Sequence, residues 1–238
     1  MTEPLYRTEP YTRETTATVL AITPEGGVVL DGSLFYPQGG GQPGDSGWLG
    51  WGACEVSVTN AVKGDGDQVV LILEQGAPVP AIGQQVTQRL DWDRRYRHMR
   101  VHTGLHLLSV VIPLPVTGGA ITAAKGRLDF DMPEAPADKE ALQTQLNELI
   151  ARDLAVTESW ITDAELAANP WLVKTMSVKP PTGAGRVRLI RIGEADVQID
   201  LQPCGGTHVA RTGEIGQVAL GKVEKKGAQN RRVNMLLA

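Results

Sequence analysis

The front of the chain alternates apolar and polar residues in short runs, which is the period of half-buried strands. Four such runs precede residue 90, separated by turns rich in Gly, Asp and Pro, and they cover residues 16–22, 27–30, 54–58 and 68–73. Cys54 stands in the third run and is interpreted as a strand residue. This pattern predicts a small β-barrel or sandwich.

The pattern changes to a helical one near residue 90. Between residues 91 and 111 the sequence is first rich in Arg and then apolar, and Pro113 follows. Because proline disfavours the helical conformation in the residue before it, we expect a helix of about four turns that ends ahead of Pro113.

Two further helices are expected after this one. A helix over residues 137–154 is indicated by apolar residues on one helical face, at Leu142, Leu146, Leu149 and Ile150. A shorter helix over 162–168 is expected to begin at a cap, either Thr162 or Asp163, and to be limited by Pro170.

Strand-like runs return near the end of the chain, over 187–192, 196–200 and 218–223. The predicted fold class is therefore α+β, with an N-terminal small β-barrel domain over residues 1–92 and an α+β domain over residues 93–238.

Composition adds limits on function. The 238 residues are 42% hydrophobic, and the 27 glycines and 15 prolines favour a β-rich chain with many turns. A net charge of -4 excludes a generally basic nucleic-acid-binding protein but leaves room for a local basic patch. No stretch approaches the roughly 20 apolar residues of a membrane span, and the N-terminus lacks the order of a secretory signal. We expect a cytoplasmic protein that does not bind a membrane.

Two pairs of metal-binding residue types stand far apart in the chain, in His102-Thr-Gly-Leu-His106 and Cys204-Gly-Gly-Thr-His208. They use three of the four histidines and one of the two cysteines. Histidines four apart on a helix share a face, and the glycines of the second pair are expected to allow a turn that folds thiolate and imidazole together. The two pairs predict one zinc ion per chain, held by all four side chains.

Each pair alone has a plainer interpretation, because helical histidines are commonly surface or packing residues. It is their combination in a chain with so few His and Cys that favours a metal site. His98 is one turn upstream of the first pair and is interpreted as a residue behind the ligands or on the surface.

The longer motifs resemble a known family. Residues 97–109, 203–216 and 35–47 are similar to the alanyl-tRNA synthetase editing domain, and more closely to its free-standing relatives, the AlaX trans-editing proteins. The third motif contains Gly39-Gly-Gly-Gln42, and a basic segment, Lys226-Gly-Ala-Gln-Asn-Arg-Arg232, follows near the end. The resemblance covers nearly the whole chain in the family's order.

This resemblance implies a zinc-dependent hydrolase that removes a wrongly attached amino acid from alanine tRNA, chiefly serine, with glycine as a second candidate. It implies the medium-length form, which acts in trans and carries no ATP-binding aminoacylation domain. Two rival functions stay open. One is a deacylase like the editing domain of threonyl-tRNA synthetase, acting on serine attached to threonine tRNA; the other is a zinc-stabilised tRNA-binding module without activity.

The resemblance also implies pocket residues. Gln42 and Thr103 are expected to be catalytic or to contact the substrate, and the loop of Gly39, Gly40 and Gly41, together with Thr207, is expected to approach it. A glycine turn and helix-capping threonines are the alternatives. Four protein ligands would close the zinc shell. Either the metal takes a fifth ligand, or one of the four is loosely held, or zinc positions the amino group of the substrate.

Two basic clusters are candidates for RNA contact, because phosphate contacts are made by Lys and Arg. The alternative for each is a solvated charged surface. The first cluster is Arg94, Arg95, Arg97 and Arg100, and the second is Lys222, Lys225, Lys226, Arg231 and Arg232.

Two departures from the family pattern matter. The strand at 121–130 has a less typical beginning, in a region that lines the family's pocket, so the resemblance does not decide between serine and glycine. Gly104 stands where the family often has alanine, at a cost to the helix of about 1 kcal/mol.

Overall fold

The computed structural model describes residues 2–175, 185–194 and 196–238. The chain divides into two compact units, Met1–Arg97 and His98–Ala238. In the described residues, a closed barrel, two further sheets and a few helices make up the fold, which confirms the predicted α+β class.

The first unit contains the closed barrel. After a short helix, α1 (Leu5–Thr8), six strands pair in the order β1-β2-β5-β4-β3-β6, and β6 pairs back with β1. They are β1 (Glu14–Ile22), β2 (Val28–Leu30), β3 (Gly47–Trp51), β4 (Cys54–Lys63), β5 (Val69–Leu73) and β6 (Gln85–Leu90). The four predicted runs are all strands, and Cys54 begins one of them.

Strands β3 and β6 are absent from the prediction. In β6 the buried positions are Val86, Gln88 and Leu90, so a polar residue interrupts the apolar alternation. The Gln88 amide is satisfied inside the barrel, since its Oε1 accepts from the Leu34 N–H at 2.8 Å and its Nε2 donates to the Gly32 carbonyl at 2.8 Å. A buried side chain with both partners present costs the fold little.

Three longer segments of the described part of the chain are helical. Helix α2 (Trp92–Val111) has 20 residues, more than the expected four turns, and ends ahead of Pro113 as predicted. Helix α3 (Lys139–Ala151) is capped by Asp138, and α4 (Asp163–Ala168) is capped by Thr162 rather than Asp163. Thr162 and Glu165 form a capping box, in which each side chain bonds the backbone N–H of the other.

Among its described residues, the second unit has two antiparallel sheets. One has four strands in the order β12-β13-β8-β7, and the other has three in the order β11-β10-β9. The bounds are β7 (Val116–Ile121), β8 (Lys125–Asp131), β9 (Ala155–Thr162), β10 (Arg186–Glu194), β11 (Val197–Pro203), β12 (Val218–Lys225) and β13 (Asn230–Leu237). The predicted runs at 187–192, 196–200 and 218–223 correspond to β10, β11 and β12.

Helix α2 lies close to the four-stranded sheet at two glycines. A Cβ on Gly126 of β8 would lie 2.6 Å from Val101 Cγ1, and a Cβ on Gly104 would lie 2.6 Å from Met235 Cε of β13. Atoms that close repel each other, so a side chain at Gly126 would clash with the branched Val101 side chain, whereas at Gly104 the flexible end of Met235 could move aside. Gly126 is thus the position at which the close approach of helix and sheet favours glycine.

Helix α3 covers the edge of the same sheet. Asn147 exchanges two hydrogen bonds of 2.9 Å with the backbone of Val218, and Gln143 Oε1 accepts from the Leu220 N–H at 2.8 Å. Side-chain amides therefore satisfy backbone groups of β12 that an edge strand leaves without a neighbour. Within the part of the chain that the structure describes, no helix is both long enough and apolar enough to span a membrane.

Candidate metal centre

The C-terminal half of α2 and the loop after β11 bring the two predicted pairs together. His102 and His106 stand one helical turn apart on α2, and Cys204 and His208 lie in the loop. Their ligand atoms all lie within 4.8 Å of one another. Four donors drawn from two segments about a hundred positions apart thus converge on one point.

Cys204 lies between two imidazoles. Its Sγ is 3.5 Å from His102 Nε2 and 3.2 Å from His208 Nε2, and the Gly206 N–H donates to the same sulfur at 3.5 Å. The expected turn therefore exists, but the glycines do not form it as expected. Neither Gly205 nor Gly206 has a positive φ, and a Cβ on Gly205 would meet no atom within 4 Å.

Thr103 orients His208. The Thr103 hydroxyl donates its single proton to the Met99 carbonyl at 3.0 Å and accepts from the Val209 N–H at 3.2 Å. Its contact of 3.1 Å with His208 Nδ1 must then be one in which the imidazole donates. This places the ring proton on Nδ1 and leaves Nε2 with a lone pair that points toward Cys204 and the other donors.

Asp200 orients His106 in the same way. Asp200 Oδ2 lies 3.0 Å from His106 Nδ1 and also accepts from Gln202 Nε2 at 2.8 Å, while Oδ1 binds Lys174 Nζ at 2.5 Å. A carboxylate on the outer nitrogen fixes the tautomer of a metal-binding histidine and makes the inner nitrogen more basic. Nε2 of His106 is therefore the nitrogen available to a metal.

Arg188 holds the loop from the sheet side. This buried side chain donates from Nη1 to the Cys204 carbonyl at 3.2 Å and to the Gly206 carbonyl at 2.8 Å, and its Nε donates to Glu158 Oε2 at 2.5 Å. The Arg188 carbonyl in turn accepts from the Cys204 N–H at 3.1 Å. Backbone and side chain of one residue thus fix the position of the thiolate.

The charges around the sulfur favour its ionised form. Burial alone would raise the pKa of the Cys204 thiol, but the interactions of its sulfur with His102 and His208 lower it well below its usual value. Burial and the charge of His102 lower the pKa of His208 to about 3. At neutral pH the site therefore holds a thiolate beside a neutral imidazole.

His106 and Asp200 form a second charged pair. Burial would lower the pKa of His106, but the hydrogen bond with Asp200 and the interaction with Cys204 raise it to about 9. Burial would raise the pKa of Asp200, but His106 and then Lys174 lower it to about 2. The two negative groups, Cys204 and Asp200, thus favour a positive charge on His106, which interacts with both.

This donor set fits a metal ion. Three imidazole nitrogens and one thiolate are ligands for borderline-soft divalent metals, and two of the imidazoles have their outer nitrogens held by partners. A cation at the centre would take the place of the proton on His106 Nε2. The four residues could therefore hold one metal ion.

The glycine-rich segment of the first unit is a tight hairpin turn. Gly39 and Gln42 exchange backbone hydrogen bonds of 3.1 and 2.9 Å, and Gly40 and Gly41 between them have φ values of 58° and 83°. Two successive positive φ values define a turn that strongly prefers glycine. The Gln42 side chain is buried.

Thr207 and His98, which lie near the candidate ligands in the sequence, belong to the second unit. Thr207 is buried in the loop between Cys204 and His208. His98 is buried as well, which excludes the surface alternative for it.

The first basic cluster is largely engaged within the protein. Arg95 is 1% exposed, and its Nε donates to Asp45 at 2.9 Å, so it stabilises the fold and offers no surface to RNA. Arg94 donates to the Gly44 carbonyl at 2.8 Å, and Arg100 donates twice to the Ile215 carbonyl at 3.0 and 2.7 Å. Arg97 is exposed.

The second basic cluster is divided in the same way. Arg231 is buried and donates to backbone carbonyls, among them those of Pro133 and Gly227, and Arg232 makes a two-pronged ion pair with Asp129. Both belong to the fold. The lysines of the cluster, Lys222, Lys225 and Lys226, are exposed, and Lys226 pairs with Glu224 at 2.8 Å.

The sequence analysis did not identify the residues that support the four candidate ligands, namely Lys174, Arg188, Asp200 and Gln202. One signal for two of them was present. Asp200 and Gln202 stand two apart in β11, directly before Cys204, so they share a face of the strand with their polar side chains toward the protein interior. Polar residues at inward positions next to a ligand motif indicate a supporting network.

Two known protein families match parts of this chain. Residues 187–234 match the family described as "Threonyl and Alanyl tRNA synthetase second additional domain", and residues 9–94 match "tRNA synthetases class II (A)". The first match includes Cys204 and His208, and the second covers the barrel strands.

Full-length relatives agree with these matches. The alanyl-tRNA editing protein AlaX-M of Methanosarcina mazei is 34% identical over 98% of this chain and 95% of its own length. AlaX-M of Saccharolobus solfataricus is 34% identical over 98% of each chain. AlaX-L of Pyrococcus horikoshii is 33% identical over 95% of this chain but only 55% of its own length.

Proposed function

The chain belongs to the AlaX family of alanyl-tRNA editing proteins, and on that premise we propose that it is a zinc-dependent deacylase for mischarged alanine tRNA. Its substrate is the ester that joins serine to the terminal adenosine of that tRNA, and glycine is the second amino acid it removes. The single observation that carries the proposal is the cluster of His102, His106, Cys204 and His208, with ligand atoms within 4.8 Å of one another.

Zinc is the metal that this donor set suits, since three nitrogens and one sulfur match its preference for tetrahedral sites. When bound, zinc supplies a Lewis acid that can polarise the ester carbonyl or lower the pKa of a water. The protein holds the ligands in place for it: Thr103 fixes His208, Asp200 fixes His106, and Arg188 fixes the backbone at Cys204.

In this proposal Thr103 acts by positioning. Its hydroxyl is buried and has three partners, which uses both lone pairs and the proton. The proposed groups on the substrate side are Gln42, the Gly39-Gly-Gly turn and Thr207, which we assign from the family resemblance.

Editing is needed because a synthetase pocket built for alanine cannot exclude glycine and rejects an added hydroxyl only weakly. A separate site that hydrogen-bonds the serine hydroxyl selects in the opposite sense. Alanine in that site would leave buried polar groups without partners, at a cost of about 1–3 kcal/mol for each group. Correctly charged tRNA is therefore spared.

The proposed partner is alanine tRNA, bound in the cytoplasm where translation takes place. The barrel domain, proposed as residues 1–92, and the editing domain, proposed as residues 93–238, would both contact it. From the second basic cluster we retain the exposed lysines, Lys222, Lys225 and Lys226, as candidate phosphate contacts.

The test is hydrolysis of four purified substrates: seryl-, glycyl- and alanyl-tRNA(Ala), and seryl-tRNA(Thr). We expect hydrolysis of seryl-tRNA(Ala), slower or comparable hydrolysis of glycyl-tRNA(Ala), and none of the other two above the uncatalysed rate. Metal content is measured on the same preparation, with Cys204→Ser as the variant that loses the thiolate. The exposed Cys54→Ser is the matched control.

Each rival has its own outcome in this experiment. Preference for seryl-tRNA(Thr) would assign the chain to threonine editing. Bound zinc and tRNA without hydrolysis of any ester would make it a non-catalytic binding module. Either result contradicts the proposal.

A further inference from the structure

The two faces of the three-stranded sheet have different surroundings. One face carries Val187 and Leu189, which pack with Leu166 and Leu172 into an apolar cluster. The other face carries Arg188 on β10 and Asp200 and Gln202 on β11. Arg188 contacts Cys204 and Asp200 contacts His106, while Gln202 donates to Asp200. We call this second face the metal-side face.

Trp160 lies on the metal-side face. In the antiparallel pairing of β9 with β10, Trp160 stands directly opposite Arg188, so both side chains project from the same side of the sheet. Arg188 is also the residue whose backbone and side chain hold Cys204. Two strand spacings, about 10 Å, therefore separate the backbone of Trp160 from the metal-binding loop.

Arg186 covers the Trp160 ring. Its guanidinium carbon lies 5.6 Å from the ring centroid, within the range of a cation–π interaction. Trp160 remains 39% exposed with this neighbour in place, and Arg186 is exposed as well. A large aromatic ring and a guanidinium thus face solvent together beside the metal centre.

We propose that Trp160 and Arg186 form a binding site for an unpaired nucleotide near the 3′ end of the RNA, in which the base stacks on the indole and the guanidinium contacts a phosphate. The inference rests on the proposed function. If the scissile ester lies at the metal centre, the unpaired nucleotides that precede the terminal adenosine must lie on the surface around it.

The chemistry of the pair suits a single strand. Aromatic side chains bind unpaired bases by stacking, which tolerates any base, and arginine beside them adds charge and cation–π attraction. Because the guanidinium is already held over the ring, little of its freedom is lost when a phosphate binds. The pair would direct the 3′ end toward the metal without reading its sequence.

The test compares two RNA probes: uncharged alanine tRNA, and the same tRNA trimmed of its unpaired 3′ nucleotides. We expect Trp160→Ala to weaken binding of intact tRNA roughly 5- to 150-fold, the range that loss of one stacked base gives. Binding of trimmed tRNA should be unchanged. Trp160→Phe, which keeps an aromatic ring, should retain most of the affinity.

Arg186→Gln tests the phosphate contact. It should weaken binding of intact tRNA and lower the slope of log affinity against log salt by about 0.7, the value for one single-strand phosphate. Trp171→Ala is the matched control, because Trp171 is 65% exposed but lies beside Leu172, which belongs to the apolar cluster of the opposite face. It should change neither quantity.

Two results would overturn the site: equal loss of both RNAs in Trp160→Ala, or unchanged binding of intact tRNA. Hydrolysis of seryl-tRNA(Ala) by the unmodified protein is measured in parallel. A protein that binds as expected but hydrolyses no ester contradicts the proposed function and leaves the nucleotide site in place. Normal hydrolysis at low substrate by Trp160→Ala, together with normal binding, removes the site and leaves the function.

Discussion

Thr103 Oγ1 lies 3.1 Å from His208 Nδ1, and both residues are buried. Since the Thr103 proton goes to the Met99 carbonyl, the hydroxyl acts toward His208 as an acceptor. One threonine on α2 therefore sets the tautomer of His208, a candidate metal ligand in the loop after β11. The residue between the two predicted histidine ligands thus belongs to the same site.

Thr103→Val should weaken metal binding about 10- to 100-fold, the usual effect of removing the outer partner of a metal-binding histidine. Valine has the same shape but no oxygen, so His208 Nδ1–H and the Val209 N–H both lose an acceptor. Zinc affinity measured by competition with a chromophoric chelator checks this, and Thr103→Ser should restore most of the loss.

Thr144→Val is the control for that substitution. Thr144 on α3 makes the same bond to the carbonyl four residues earlier, Glu140, at 3.0 Å, but it is exposed on a helix that contributes none of the four candidate ligands. It should leave zinc affinity unchanged. Equal losses in both variants would mean that the hydroxyl supports only the helix.

Much of the fold was predictable from local pattern. Alternating runs indicated four barrel strands, and proline and capping residues placed the ends of α2 and α4. The prediction failed where an element depends on contacts with residues far away in the sequence. Strand β6 was missed because Gln88 occupies an inward position, where it is acceptable only since Leu34 and Gly32 bond its amide.

In the candidate site, too, residues with a local sequence pattern were predicted, and residues that act through distant contacts were not. The four candidate ligands were indicated by two closely spaced pairs found together in a chain with few His and Cys, because two donors per segment leave a local signature. The residues that support them leave none that spacing reveals, since Arg188 and Lys174 act by bonding to separate segments. Arg95 was misassigned to RNA for a related reason, because its buried partner, Asp45, is 50 residues away.

Gln42→Ala should lower the rate of seryl-tRNA(Ala) hydrolysis about tenfold, the effect of losing one hydrogen bond that favours the transition state. The backbone turn of Gly39 and Gln42 does not depend on the side chain, so the fold should survive. Single-turnover kinetics and thermal unfolding are measured together, because the Gln42 side chain is buried.

Gln38→Ala is the companion variant. Gln38 is an exposed glutamine four residues earlier in the same loop, in contact with Asn60 at 3.4 Å. It should hydrolyse at the normal rate. Unchanged kinetics in a folded Gln42→Ala protein would remove Gln42 from the site.

Lys225→Glu combined with Lys226→Glu should weaken binding of alanine tRNA and flatten its dependence on salt. Removal of one phosphate-binding lysine should lower the slope of log affinity against log salt by about 0.9. Both lysines are exposed at the end of β12, so the charge change should cost little stability. Filter binding over a series of salt concentrations measures affinity and slope together.

Lys139→Glu tests whether the position of the charge matters. Lys139 begins α3 and lies outside the basic cluster. The Lys139→Glu substitution changes the net charge in the same direction as the double variant. It should nevertheless leave the slope of log affinity against log salt unchanged. If the double variant also leaves the slope unchanged, the two lysines do not bind phosphate.

Asp129 links two strands of the four-stranded sheet through charge. Its carboxylate accepts from Arg232 Nε at 2.7 Å and Arg232 Nη2 at 3.0 Å, and from Arg127 Nη1 at 2.5 Å. Burial would raise the pKa of Asp129, but the hydrogen bonds and charges of the two arginines lower it below its usual value. The folded protein therefore binds a proton at this site less readily than the unfolded chain does.

A carboxyl whose pKa is lower in the folded state stabilises the fold above its unfolded pKa, near 4, and loses that contribution as the pH falls through the folded value. Asp129→Asn should therefore lower the free energy of unfolding by about 1–2 kcal/mol at pH 7. The difference from the unmodified protein should shrink as the pH falls below about 4. Urea unfolding between pH 7 and pH 3 measures this, with Asp131→Asn, an exposed aspartate of the same strand, as control. A constant difference across that range would show that Asp129 acts by shape and not by charge.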